Sequence, residues 1–372
     1  MRRALGLAVG ALALGTDGLG TTARAQPPAP PNVTGAAADD GGRPLPYARV
    51  VLADAARPDS AVREVLAGAD GRFVLAGVAP GRYRVQVRQI GFRPADVDVA
   101  VTAAGAPPVR AQLTRFALAL PGVAVTDLAL SCDAPAMRAA RNDPRLTALQ
   151  ETVAENAARA SLLTREYPFE VRMVRRNWYY TPGNAALPAP PESSTVRSSP
   201  GAGYAPGRVL VPQRDSLGRV VGFRVDIPGL RALGSRAFRD AHCMAYGGET
   251  VVDGRPLLRL LVAPESRIRT PDVAGVFFLD SATGVLRRSE LTLTGLGPRA
   301  AFSDVSLTSE YREVLPGGVI RARAVNTQSL RGGQRHNGQP IDRMVEHLDV
   351  VAYRFVDAVP PGAAPSGTLA AP

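Results

Sequence analysis

The chain has 372 residues, 45% hydrophobic, 21% charged and 5% aromatic, with a formal net charge of +11 carried by 44 arginines and no lysine. That apolar content excludes a wholly disordered chain, and the missing lysine excludes a phosphate-cradling P-loop, a Schiff-base lysine and a serine–lysine nucleophile pair. Three histidines and two cysteines leave little for metal or nucleophile chemistry, so composition points away from an enzyme and implies no cofactor.

The N-terminus reads as a targeting segment over residues 1–25. Arg2 and Arg3 precede an uncharged apolar run, Ala4 to Leu14, and Ala23-Arg24-Ala25 has the small-x-small form of a signal-peptidase site, with Ala23 and Ala25 as the small residues. The run is too short to span a bilayer. Removing residues 1–25 takes away three arginines and one aspartate and leaves +9. The expected location is outside the cytoplasm, in the periplasm, at the outer membrane or secreted, with membrane association peripheral at most. Residues 26–32 form a Pro-rich linker.

From 33 to 115 the text reads as short strands between turn signals. Tyr47 to Leu52 is a β-rich run, and Asp70-Gly71 is a tight turn followed by Phe73 and Leu75 on one face. Pro80-Gly81 makes a second turn. Tyr83, Val85 and Val87 then alternate with Arg82, Arg84, Gln86 and Arg88, the period of a half-buried strand. Such spacing without a helical period argues for an antiparallel sandwich.

Val33-Thr34-Gly35, Pro46 to Leu52, Asp70-Gly71-Arg72-Phe73, Val78 to Tyr83 and Ile90-Gly91-Phe92, in that order, resemble the carboxypeptidase regulatory-like domain. The resemblance implies a seven-stranded-type, transthyretin-like and carbohydrate-binding-like sandwich over 33–115 that is not itself catalytic. It gives Asp70, Gly71, Phe73, Pro80, Gly81, Tyr83 and Gly91 structural roles in turns and core. The family is named for its place beside zinc carboxypeptidases, but their His-x-x-Glu pattern is missing here: Ala245 follows His242 by three, Gln339 follows His336, and Val350 follows His347. No His-Glu-x-x-His and no Gly-x-Ser-x-Gly occurs either.

Residues 116–131 read as a connecting strand or linker, and 132–358 as a larger antiparallel β domain with a curved-sheet or half-barrel form. Cys132 and Cys243 are an even pair in a chain bound for an oxidising compartment and are read as a disulfide. Closing a loop near 100 residues stabilises by about 4.7 kcal/mol in the loop-entropy account. Leu146, Leu149, Val153, Ala157 and Ala160 recur at helical spacing, giving one amphipathic helix near 135–165 that is broken early by Pro144. Strands return at Tyr167–Tyr180. Residues 182–207, rich in Pro, Gly and Ser, read as a long exposed loop. A short helix is expected over 230–242, six further β runs lie between Leu257 and Val356, and 359–372 reads as a disordered tail.

The hairpin Gly275 to Asp280, Thr283-Gly284 and Leu286-Arg287-Arg288 resembles one in envelope lipoprotein-carrier-like proteins, which implies a curved sheet around an apolar cavity. Phe278, Leu293, Leu307 and Val325 are the expected lining. The whole layout is similar to uncharacterised envelope proteins of environmental bacteria. Scattered arginines, densest at Arg172, Arg175 and Arg176, read as solvated strand faces and not as a nucleic-acid patch. The reading is a non-catalytic exported envelope protein that binds carbohydrate or protein through the sandwich. One alternative is a periplasmic carrier of a lipid or other apolar ligand; another is an accessory or unrecognised hydrolase. Expected partners are an envelope protein, a polysaccharide or an apolar ligand.

Overall fold

The computed structural model describes residues 30–115, 130–199, 203–298 and 300–369. The signal segment with Ala23 and Ala25, and most of the connector, lie outside the described residues.

The N-terminal half is a sandwich of seven strands: β1 (Val33–Asp39), β2 (Arg49–Asp54), β3 (Arg57–Leu66), β4 (Arg72–Leu75), β5 (Gly81–Arg88), β6 (Ala95–Val101) and β7 (Val109–Leu113). One sheet runs β4-β1-β7; the other runs β3-β2-β5-β6 and curls into a half-barrel. Period-two alternation places Val85, Val87, Val99 and Val101 opposite Phe73, Leu75, Val109 and Leu113 in one buried cluster. One pairing departs from the antiparallel expectation. The chain leaves β6 in the second sheet and crosses to the first, so β7 enters beside β1 in the parallel sense. Gly71 sits at φ +76, and a Cβ there would stand 2.6 Å from the Ala37 carbonyl oxygen, so the turn admits only glycine.

The C-terminal half opens with α1 (Pro135–Ala140) and α2 (Arg145–Glu166), followed by β8 (Phe169–Tyr180), β9 (Ala186–Pro188), β10 (Glu192–Arg197), β11 (Leu210–Arg214) and β12 (Val220–Val225). Next come α3 (Leu230–Leu233), α4 (Arg236–Ala241), β13 (His242–Val252), β14 (Arg255–Pro264), β15 (Asp272–Asp280) and β16 (Leu286–Thr294). The chain ends with β17 (Phe302–Leu315), β18 (Gly318–Leu330), β19 (Arg335–His336), β20 (Gln339–Pro340), β21 (Arg343–Phe355) and β22 (Ser366–Thr368). Its main sheet has eleven strands ordered β10-β8-β21-β18-β17-β16-β15-β14-β13, with β22 added to β21 and β9 to β8.

Both faces of β13–β15 are buried, which explains their near-continuous apolar text. Met244, Tyr246, Leu258, Leu260, Val262, Val273 and Phe277 point to the face that also holds Leu149, Val153 and Ala157 of α2. Their alternates Cys243, Ala245, Leu261, Ala263 and Ala274 point the other way and pack with Met137 of α1.

Three expectations need correction. The single helix at 135–165 is two, because Pro144 cannot continue α1 and Asp143 instead accepts the Arg145 amide at 2.8 Å to start α2. The exposed loop at 182–207 contains β9 and β10; all six residues of β10 are solvent-exposed, so neither of its faces is buried and it leaves no period-two signal. The tail carries β22, three residues paired with β21, and Leu369 is buried beyond it.

Candidate functional site

The sandwich is locked to the second domain through polar side chains on α2. Arg49 of β2 grips the Glu155 carboxylate with Nε and Nη2 at 2.9 and 2.6 Å, and its Nη1 reaches Glu64 at 2.6 Å. These side chains are 12%, 10% and 17% exposed, so water screens them little. Burial by itself lowers the Arg49 pKa, but hydrogen bonds and charge from Glu155 and Glu64 outweigh it and hold the group above its ordinary value. Arg165 extends the network to Glu64 at 2.7 Å.

One turn along α2 lies Arg159, with its whole side chain interior. Its Nε donates to Gly317 O at 3.0 Å, Nη2 to Pro316 O at 2.9 Å and Nη1 to Gln89 Oε1 at 3.0 Å. It therefore ties the β17–β18 turn, the helix and the sandwich together. Burial pulls its pKa down to about 10, with the nearby Arg49 charge acting in the same direction and Glu155 and Glu313 opposing. Asn156 beside it donates to Gly284 O at 2.9 Å and accepts from the Leu286 amide at 3.0 Å, which fixes the β15–β16 loop.

The α2 face of the sheet has a second cover, a strap over residues 203–241. Tyr204, Val209, Leu230, Leu233 and Phe238 sink into the α2-face core, while Leu210, Phe223 and Val225 of the β11–β12 hairpin are only half-buried against it. That hairpin forms a two-stranded sheet of its own and joins no strand of the main sheet. Ser235 caps α4 by accepting the Phe238 amide at 3.2 Å. The strap is pinned near its start, where the Tyr204 hydroxyl donates to Asp272 Oδ2 at 2.5 Å, and at its end, where Ala241 O accepts the Glu265 amide at 2.8 Å. Burial, then the hydrogen bond to Asp272, raise the tyrosine pKa well above its ordinary value.

His242 belongs to the pin at Asp272. Its ring stacks on Phe238 at 3.9 Å and its Nδ1 lies 3.0 Å from the Phe238 carbonyl oxygen, which can only accept. Its Nε2 lies 3.4 Å from Asp272 Oδ1. His336 stacks on Tyr179 at 3.6 Å, and His347 stands against Trp178 at 4.6 Å, held below its ordinary pKa by burial and then by Arg323. Among the described residues no group of three or more His, Cys, Asp or Glu side chains is placed to hold a metal ion, and no helix is long and apolar enough to cross a membrane.

Residues 32–114 match the carboxypeptidase regulatory-like domain. No curated protein matches the sequence. Among solved structures, a LolA superfamily protein from Nitrosomonas europaea is 12% identical, with 57% of this chain and 94% of that one covered at a TM-score of 0.28. A putative outer membrane lipoprotein-sorting protein domain from Vibrio parahaemolyticus is 13% identical, with 56% and 93% covered at a TM-score of 0.28.

The residues expected to shape the regulatory-like domain fall in two places. Phe73 is core, Asp70 accepts the Arg72 amide at 3.0 Å, and Tyr83 after Pro80-Gly81 donates to Ala79 O at 3.0 Å, closing the turn. Gly91 lies instead at the junction, at φ +80, where a Cβ would stand 3.2 Å from Thr283 O of the second domain. Cys132 and Cys243 are bonded, 111 residues apart in sequence, and join the approach to α1 to β13. Of the expected cavity lining, Leu293 is in the α2-face core and Leu307 pairs with Leu291 on that face. Phe278 pairs with Arg288 and Val325 with Thr308, which alternation sends to the other face. Sequence reading missed Arg49, Glu64, Glu155 and Arg159. The available signal was polar Glu155, Asn156 and Arg159 interrupting the apolar stripe of α2.

Proposed function

We propose that the protein is an exported, non-catalytic binding protein of the cell envelope that takes an apolar ligand, such as a lipid acyl chain, on the α2 face of its main sheet, with the regulatory-like domain as a rigid scaffold. The observation that carries this reading is the unequal cover of that face: α2 is keyed into it by Leu149, Val153 and Ala157, whereas the β11–β12 hairpin rests on it through half-buried side chains alone. A ligand with alkyl chains replaces those contacts at small cost, since each buried methylene contributes about 0.8 kcal/mol wherever it is buried. The N-terminal targeting pattern and the Cys132–Cys243 bond support export. The non-catalytic part of the reading rests on the roles of the histidines, each engaged with an aromatic ring.

Titration with a dansyl-labelled fatty acid tests it. Saturable binding is expected, with faster uptake by Phe223→Ala, which weakens the hairpin's hold. Absence of saturable binding in both proteins, or turnover of ester or peptide substrates by the purified protein, would contradict the reading.

A further inference from the structure

A cleft of about 380 Å³ opens at the end of the main sheet, between the β13–β14 turn, the start of β16 and the end of β17. Its lining is chiefly polar, and Tyr311 is the one lining residue that belongs to the α2-face core. Two of its arginines already have acidic partners. Arg287 meets Glu313 at 2.8 Å and Asp280 at 3.4 Å, and Arg288 meets Glu290 at 2.7 Å and Glu310 at 3.7 Å. Arg255 and Arg312 also line the cleft; both are exposed, and neither has an acidic partner among the described residues. Asp253 on the same rim is likewise unpaired. The Tyr311 ring is buried, and the residue lines the cleft.

The walls are held in place from behind. Glu313 accepts the Gly317 amide at 2.6 Å, and Gly317 O is the acceptor of buried Arg159. The cleft therefore presents two free guanidinium forks, one free carboxylate and a tyrosine on a braced frame.

We propose that this cleft binds an acidic saccharide, with a uronate carboxylate taken by Arg255 and Arg312 and ring hydroxyls donating to Asp253 and Glu310. Guanidinium forks match a planar carboxylate in bidentate geometry. The neighbouring carboxylates, which repel a doubly charged phosphate, are acceptors for sugar hydroxyls. A singly charged group on a polyhydroxyl frame fits both halves of the lining, and the volume lies in the range of small-ligand sites, roughly 300–1,000 Å³.

The test is isothermal titration calorimetry on the intact protein at low salt with trigalacturonate, maltotriose and inorganic phosphate, repeated on an Arg255→Ala/Arg312→Ala double variant. Both arginines are exposed, and an unchanged melting temperature verifies the fold. Trigalacturonate is expected to bind, to weaken roughly tenfold or more in the double variant as charge-assisted pairs are lost, and to bind more tightly than either other probe. No binding of trigalacturonate, equal binding of maltotriose or phosphate, or an affinity indifferent to the double variant would overturn the proposal.

Discussion

Burying Arg159 is costly: burial pulls its pKa well below the ordinary guanidinium range, to about 10, a shift on the order of 3 kcal/mol against the charged form. The cost is offset because each of the three guanidinium nitrogens donates to an acceptor, two backbone carbonyls and Gln89. Removing the side chain leaves those acceptors unpaired and opens a cavity. Arg159→Ala is therefore predicted to lose about 3–5 kcal/mol of stability in urea unfolding. Arg159→Met keeps the volume and removes the buried charge, and is predicted to lose less than the alanine variant; equal losses would mean that packing contributes nothing there. At this scale local constraints were legible and distant ones were not. Gly71, Phe73 and Tyr83 answer to neighbours within one turn or hairpin, which the text shows. The Arg49–Glu155 pair joins residues 106 apart, and nothing near either one announces the other.

Elements were legible where one face is wet. The alternation of β5 and the helical spacing of α2 both come from a boundary between water and core. Where that boundary is missing the pattern is missing too. β10 is exposed on every residue, and β13 is buried on its first seven, so neither alternates. The second case also explains why two cores share one sheet. The disulfide sits at that double burial, with Cys243 on β13 facing α1. Replacing both cysteines by serine is predicted to cost about 2–5 kcal/mol, measured as a drop in melting temperature against wild type. An unchanged melting temperature would show that the α1 packing holds without the bond.

Across the whole molecule, the division into a sandwich and a larger β domain was readable from motif order and from the change of period after Cys132. The docking between them was not, because it is made by buried ion pairs and by loops whose partners lie in the other half of the chain. The arginine-rich charge resolves in the same way. Arg175 meets Glu346 at 2.9 Å and Arg176 meets Asp349 at 2.7 Å, so two of the three arginines of the densest cluster are paired across strands. What remains is a braced two-domain body with one loosely held cover. The most direct test is native mass spectrometry of the protein isolated from the envelope of its own cells. The account predicts a polypeptide beginning at Gln26, lighter by two hydrogens than its reduced form, and carrying a noncovalent apolar adduct that dissociates on activation. An intact chain still bearing residues 1–25 and recovered from cytosol, or a processed chain with no adduct, would contradict it.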